Sequence, residues 1–271
     1  MPPRPVAPHA AWEAASAGYQ TVRDWVAAQA GSGGLEGWQA PTRLPGWRVS
    51  DLCAHLALTL RTVEEVQPAT RAARASTLAQ YVAAYPDDDG VTDTSARHEV
   101  SGPDRLPTDV VVAFDNALTS AAERLTTLCD DLPKSGAVHL RESTLRLGDF
   151  LATRCIEAAV HARDLAHAVG DPTVADVPRP TLKSACRALL DVLAENVPGH
   201  AVEVRVAPFA AVQCFEGPRH TRGTPPNVVE MDPGTWLDLA GGRLTWQDAL
   251  TDARVSASGA RADLSTALPL L

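Results

Sequence analysis

The hydrophobic pattern of this chain changes period once, and that change restricts the fold more than any other feature. Up to about residue 170 the apolar positions recur at threes and fours, the spacing of amphipathic helices, whereas alternating β-type stretches enter beyond Pro178. The first helix is expected from Ala10 to about Ala30, with Trp12, Ala15, Tyr19, Val22 and Val26 on one face, before Gly31 to Gly37 break it. A second follows Pro45-Gly46-Trp47, with Ser50 at the N-cap, Asp51 in the first turn, and Leu52, His55, Leu56 and Leu60 on one side. More helix is expected from Thr70 to Ala84, then an exposed loop from Pro86 to Pro103. Pro107 opens a third long helix to about Leu128, and a fourth runs from Gly148-Asp149 to Val169, stopped by Gly170. Four long helices with connections of varied length point to a four-helix bundle.

The second half reads differently. A helix from Thr181 to about Glu195 precedes strands at Ala201–Val206, Ala210–Phe215 and Val228–Met231. Asp232-Pro233 then caps and opens short helices that carry Trp236 and Trp246; another strand is expected at Val255–Ser258 and a closing helix at Leu264–Leu271. The reading is therefore an α+β chain of two domains, residues 1–172 and 173–271, divided where Asp171-Pro172 and Pro178-Arg-Pro180 cluster. No internal repeat is visible.

Composition narrows the function. A formal net charge of −9 and a pI of about 5.3 argue against nucleic-acid binding, which usually uses a basic face. Lys134 and Lys183 are the only lysines among 24 basic residues, a bias expected of a high-GC bacterial genome. Five scattered cysteines without a Cys-x-x-Cys pair fit a reducing cytosol. No apolar run is long enough to span a bilayer, and the N-terminal residues form no apolar signal core, so a soluble cytoplasmic protein is expected, monomer or dimer.

The chemistry sits in Arg154-Cys-Ile-Glu-Ala-Ala-Val-His-Ala-Arg-Asp164. Glu157 and His161 are four apart, hence one turn apart on one helical face, flanked by Ile156, Ala158, Ala159 and Val160. A buried carboxylate beside a buried imidazole needs a partner, either a hydrogen bond between the two or a shared metal ion. Spacing alone favours the hydrogen bond. His55, on a mostly apolar face of the second helix, is by itself more simply a packed core histidine. Together the three would offer two imidazoles and a carboxylate, a set that suits zinc, nickel or iron(II) and leaves coordination positions open.

Thr42-Arg-Leu-Pro-Gly-Trp-Arg-Val-Ser-Asp-Leu-Cys-Ala-His-Leu56 resembles the Pro-Gly-Trp-x-Val-x-Asp-Leu-x-x-His-Leu signature of the mycothiol-dependent maleylpyruvate isomerase family. Members have a DinB-like metal-binding four-helix bundle, and the Glu157-x-x-x-His161 helix matches the second half of their metal site. The resemblance covers about the first 170 residues. It implies that His55, Glu157 and His161 ligate a divalent metal, zinc foremost. It also implies a low-molecular-weight thiol, mycothiol, which adds to an unsaturated acid and allows cis–trans rotation. Many members follow the second histidine with Gly-Trp-Asp-Leu, where this chain has Ala162-Arg163-Asp164-Leu165; Asp164 is retained as a candidate acid behind the ligands, while substrate specificity is open.

In the C-terminal half, Thr224-Pro-Pro-Asn-Val-Val-Glu-Met-Asp-Pro233, Thr235-Trp236, Gly242-Arg243 and Val255 to Leu264 resemble the bacterial sterol-carrier-protein-like domain, which accompanies the metal bundle in many actinobacterial proteins. Two functions follow. One is a metal- and thiol-dependent isomerase or transferase acting on a small electrophile, with Arg222, Arg243 and Arg254 as candidate carboxylate clamps. The alternative is a carrier for an apolar ligand, with a structural metal in the bundle. A metal-free helical scaffold is the third reading. Cys53 and Cys155 lie on the ligand-bearing helices and read as small buried hydrophobes. The histidines at 9, 98, 139, 167, 200 and 220 lack partners at ligand spacing, and Asp87-Asp88-Asp89 reads as a solvated loop.

Overall fold

A computed structural model describes residues 7–32, 35–70, 72–84, 106–132, 136–141, 143–217 and 226–271. The long helices are α1 (Pro8–Ser32), α3 (Val49–Glu65), α5 (Pro107–Asp131) and α6 (Leu147–Val169), with short helices α2 (Leu35–Trp38) and α4 (Leu78–Ala83) between them. In the bundle α1 and α3 occupy opposite corners, each packed against both α5 and α6. The interior holds Tyr19, Leu52, Leu56, Leu60, Phe114, Phe150 and Leu151, all fully buried. These are the residues spaced at threes and fours, so burying one stripe per helix accounts for the assembly.

The expected loop at 86–103 lies outside the described residues, as do Asp87, Asp88, Asp89, His98, His220 and Arg222. Three local expectations are corrected. The N-cap of α3 is Arg48 rather than Ser50, because a tight turn (Thr42 N–H to Trp47 O, 2.8 Å) ends there, and Asp51 accepts the Arg48 N–H at 2.9 Å. In the described part of 70–84, helix begins only at Leu78: Ser76 donates its N–H to Thr144 O at 2.8 Å, holding the preceding chain extended. No closing helix forms at 264–271. Pro269 lacks an N–H and disfavours helix at the residue before it, and Leu270 and Leu271 donate their N–H groups to Ala240 O instead.

A small antiparallel sheet not expected from the sequence joins β1 (Gln67–Pro68), β2 (Ala137–Leu140) and β3 (Ser143–Arg146) beside the bundle. The ends of α6 follow the sequence. It opens directly after β3, and Gly170, at φ +67, ends it in the left-handed conformation that glycine adopts without a Cβ penalty. The segment between the halves is packed: Asp171 caps a 3₁₀ turn (Pro172–Ala175) and accepts the Trp25 indole N–H at 3.1 Å, while Val174 is buried.

Helix α7 (Arg179–Asn196) lies against α6 and α1 on one side and against the C-terminal sheet on the other. Contact with α1 is close. A Cβ on Gly18 would stand 2.6 Å from Thr181 Cγ2 and 3.0 Å from Ala158 Cβ, so the three helices meet where only hydrogen fits. The sheet has the order β5–β4–β6–β7, formed by β4 (Val202–Val206), β5 (Ala210–Cys214), β6 (Val228–Met231) and β7 (Val255–Ser258). Strand β4 runs antiparallel to β5 and parallel to β6, and β6 antiparallel to β7. Val202, Val204 and Val206 point inward, as period-two alternation requires. Helices α8 (Pro233–Ala240) and α9 (Trp246–Thr251) complete this half; Trp236 is fully buried and donates its indole N–H to Cys186 O at 3.2 Å. One continuous apolar core runs from the bundle through α7 into the sheet.

Burial pushes the carboxyl of Asp191 on α7 up to about 6, with Arg187 opposing and Asp149 reinforcing the shift. Because the folded protein then holds this proton more tightly than the unfolded chain, the contribution is favourable in acid and is lost as pH rises through 6. Asp191→Asn is expected to stabilise the protein at about pH 8 by about 1 kcal/mol, discounted for partial exposure, and to change little at about pH 4. Thermal melts at the two pH values test this; an equal gain at both would refute it.

Candidate metal centre

The structure brings the three predicted residues together. His55 projects from the second turn of α3, and Glu157 and His161 from successive turns of α6. Arg154, buried on α6, straps the two helices by donating to Thr59 O (2.8 Å) and Thr62 Oγ1 (3.2 Å) on α3, with its guanidinium over the Phe150 ring. Trp47 packs edge-on to the His55 ring, with centroids 5.3 Å apart. The turn that sets the start of α3 therefore also supports His55.

Both imidazoles direct Nε2 at one carboxylate oxygen. His55 Nε2 and His161 Nε2 each lie 3.3 Å from Glu157 Oε2, and donor atoms from all three residues lie within 4.8 Å of one another. A charge-assisted N–H···O pair closes to about 2.7–2.9 Å. A tetrahedral ion with bonds of about 2.0–2.1 Å sets its ligand atoms about 3.3–3.4 Å apart. The two nitrogen-to-oxygen spacings are long for the first arrangement and compatible with the second, and the donor set of two nitrogens and one oxygen fits a divalent ion. Side-chain exposures of 20% for His55, 17% for Glu157 and 14% for His161 leave the cluster reachable from outside.

The electrostatics are those of a held proton that an ion would displace. Burial pushes the Glu157 carboxyl up, but hydrogen bonds from His161 and His55 more than reverse this and leave it well below the usual carboxylate range. Burial pushes His161 down, and its bonds to Asp164 and Glu157 raise it overall. His161 donates from Nδ1 to Asp164 Oδ2 at 3.0 Å, which aims Nε2 at Glu157.

Asp164 has no exposed side-chain surface and anchors a charge network between the halves of the chain. Arg243 donates to it from Nε (3.2 Å) and Nη2 (3.0 Å), and from Nη1 to Gly241 O; Arg43 Nη2 lies 3.0 Å from Asp164 Oδ1. Alongside, Asp238 on α8 accepts from Arg163 (3.0 and 2.6 Å) and Arg254 (2.9 Å). Two of the candidate carboxylate clamps are thus already engaged by carboxylates of the protein. Arg163, which stands where many members of the resembled family have tryptophan, is spent on the contact with the C-terminal half. Arg43, Arg154 and Asp238 were missed from sequence. An arginine in an apolar helical stretch was a signal for Arg154, whereas nothing local marked the other two.

A cavity of about 560 Å³ opens onto the cluster, lined by Glu157 and His161 and by Arg243 from the C-terminal half. His167 is exposed at the end of α6, His139 bonds Thr144, and His200 bonds Gln213, so none joins the site. Cys53 and Cys155 are buried, and burial pushes both thiols up, Cys155 to about 11.

A DinB-like helical bundle that gathers two histidines and a glutamate beside a cavity, joined to an α+β half, defines a class of two-part proteins with a candidate metal centre. Residues 20–166 match the model of the mycothiol maleylpyruvate isomerase N-terminal domain, and residues 178–270 that of the bacterial SCP ortholog. The chain belongs to the mycothiol maleylpyruvate isomerase N-terminal domain family. Two crystal structures share its fold: a mycothiol-dependent maleylpyruvate isomerase (TM-score 0.53, 16% identity, 93% of each chain covered) and a histidine-to-alanine mutant of such an isomerase (TM-score 0.52, 17% identity, 93% of each chain covered). No curated protein matches the sequence significantly. Among the described residues no helix is long and apolar enough to cross a membrane.

Proposed function

We propose that this chain is a cytoplasmic, metal- and thiol-dependent isomerase or transferase acting on a small electrophile, with zinc held by His55, Glu157 and His161 and mycothiol as the thiol. The observation that carries the reading is the cavity of about 560 Å³ lined by two of the three donors, which leaves room for a thiol and an electrophile beside the ion. Zinc in this setting would lower the pKa of a bound thiol and so supply a nucleophile at neutral pH. The chain's own residues do the rest. Asp164 orients His161, Glu157 offers one oxygen between the two imidazoles, Arg154 fixes the spacing of α3 and α6, and Ile156 and Val160 keep the cavity wall apolar. The domain limits that accompany this reading are 1–172 for the metal-binding bundle and 173–271 for the sterol-carrier-like part.

Titrating mycothiol into zinc-loaded and metal-stripped protein tests the proposal. Saturable binding is expected only with metal, and a cobalt(II)-substituted sample should gain a sulfur-to-metal charge-transfer band as the thiol is added. Binding that ignores the metal, or none to the loaded protein, would overturn the thiol-dependent reading in favour of the carrier.

A further inference from the structure

The face that α6 presents to the cavity has two ridges. Thr153, Glu157 and His161 recur every fourth residue on one, and Ile156 and Val160 lie a turn apart on the next. The wall is extended by Val82 from α4 and by Pro269 and Leu270 of the C-terminal segment. Leu270 is fixed there twice, by its N–H bond to Ala240 O at 2.8 Å and by packing against the buried cluster of Ala79, Val82 and Val192. Among the described lining side chains the ionisable groups are Glu157 and His161 on the first ridge and Arg243. Its guanidinium already donates to both oxygens of Asp164 and to Gly241 O. The Thr153 hydroxyl is likewise committed, donating to Phe150 O at 2.6 Å. With Arg243 so engaged, a small dianionic acid would find no free side-chain cation among the described lining residues for its second carboxylate and would leave the apolar ridge unused.

We infer that the electrophile taken by this site carries an apolar body, an alkyl or aryl group of several carbons, laid along Ile156, Val160, Val82 and Leu270 while its reactive end meets the Glu157–His161 ridge. This rests on the metal centre proposed above and names the class of substrate for it. Burying one methylene is worth about a fourfold gain in affinity, so chain length provides a direct readout.

Calorimetric titration of zinc-loaded protein with three hydroxamates that share a metal-binding head tests it: acetohydroxamate, octanohydroxamate and succinic monohydroxamate. Octanohydroxamate is expected to bind at least tenfold more tightly than acetohydroxamate, and the carboxylate-tailed probe to gain nothing. Val160→Thr, which keeps the side-chain volume, is expected to shrink the ratio of octanohydroxamate to acetohydroxamate affinity at least threefold. If acetohydroxamate binds but the alkyl tail adds nothing, or the carboxylate tail wins, this inference alone falls. If no probe binds and zinc itself is not retained, the metal reading falls and this inference with it.

Discussion

Alanine at Glu157 is expected to leave a folded protein that retains no stoichiometric metal. Its Oε2 is the atom at which both imidazoles converge, each 3.3 Å away, so its loss removes one donor and the element that sets the other two. Outer partners of metal ligands command about 10–100-fold in affinity, and a direct ligand should exceed that. Zinc at 100 times its dissociation constant should stabilise the wild type by about 2.7 kcal/mol, raising Tm, and should leave Tm of Glu157→Ala and His55→Ala unchanged. Metal content after gel filtration, with His167→Ala as control at an exposed position of α6, provides the second readout. If the wild type emerges empty after reconstitution, or both variants keep the ion, the centre is a hydrogen-bonded cluster only. The pH dependence has a definite sign. His161 is raised in the metal-free protein and must lose a proton to ligate, so zinc affinity should fall as the solution is acidified.

The candidate site was legible in two different ways: local spacing paired Glu157 with His161 but favoured a hydrogen bond, and only the resemblance of the Pro-Gly-Trp segment implied that His55 joins them. Glu157 and His161 share a helical face by spacing, and the Pro-Gly-Trp turn that starts α3 lies shortly before His55. The core was legible too, since a stripe at threes and fours can be satisfied only by burial. Strands β1 to β3 were not legible. With two to four residues each, they show no alternation that chance would not produce, and they are defined by pairing with one another, β1 with β2 and β2 with β3. The extended chain before α4 escaped too, since it depends on the Ser76 bond to Thr144 on that small sheet.

The partners of Asp164 show where sequence reading stops. The aspartate stands three residues after His161 and was recognisable as an acid behind the ligands. Arg43 and Arg243 lie 121 and 79 positions away in the chain; the folding of the bundle itself brings Arg43 to the aspartate, and the docking of the C-terminal half brings Arg243. The site is therefore assembled by both halves although its donors come from one. Arg163, at one of the two positions where the chain departs from the resembled motif, donates to Asp238 on the C-terminal side.

Asp164→Ala is accordingly expected to act at two levels. Removing one partner of a buried charge network leaves the others uncompensated, which costs about 3–5 kcal/mol, and here two arginines and His161 lose the acceptor at once. Burial pushes the Asp164 carboxyl up, but the hydrogen bonds from His161 and Arg243 hold it far below the usual range. Its folded pKa is depressed, so its contribution is present above about pH 4 and is lost as pH falls through the folded value. Urea unfolding of wild type and Asp164→Ala should thus diverge most at neutral pH and converge in acid. Asp164→Asn keeps the shape and one acceptor, so it should retain part of the stability. In that variant His161 loses the charge that holds its ring, and zinc affinity should still drop about 10–100-fold. Arg243→Met separates the two levels. It removes a counter-ion from the C-terminal side while His161 keeps Asp164, so stability should fall and zinc affinity change less than in Asp164→Asn. If Asp164→Asn binds zinc like the wild type, Asp164 only ties the two halves together and does not position His161.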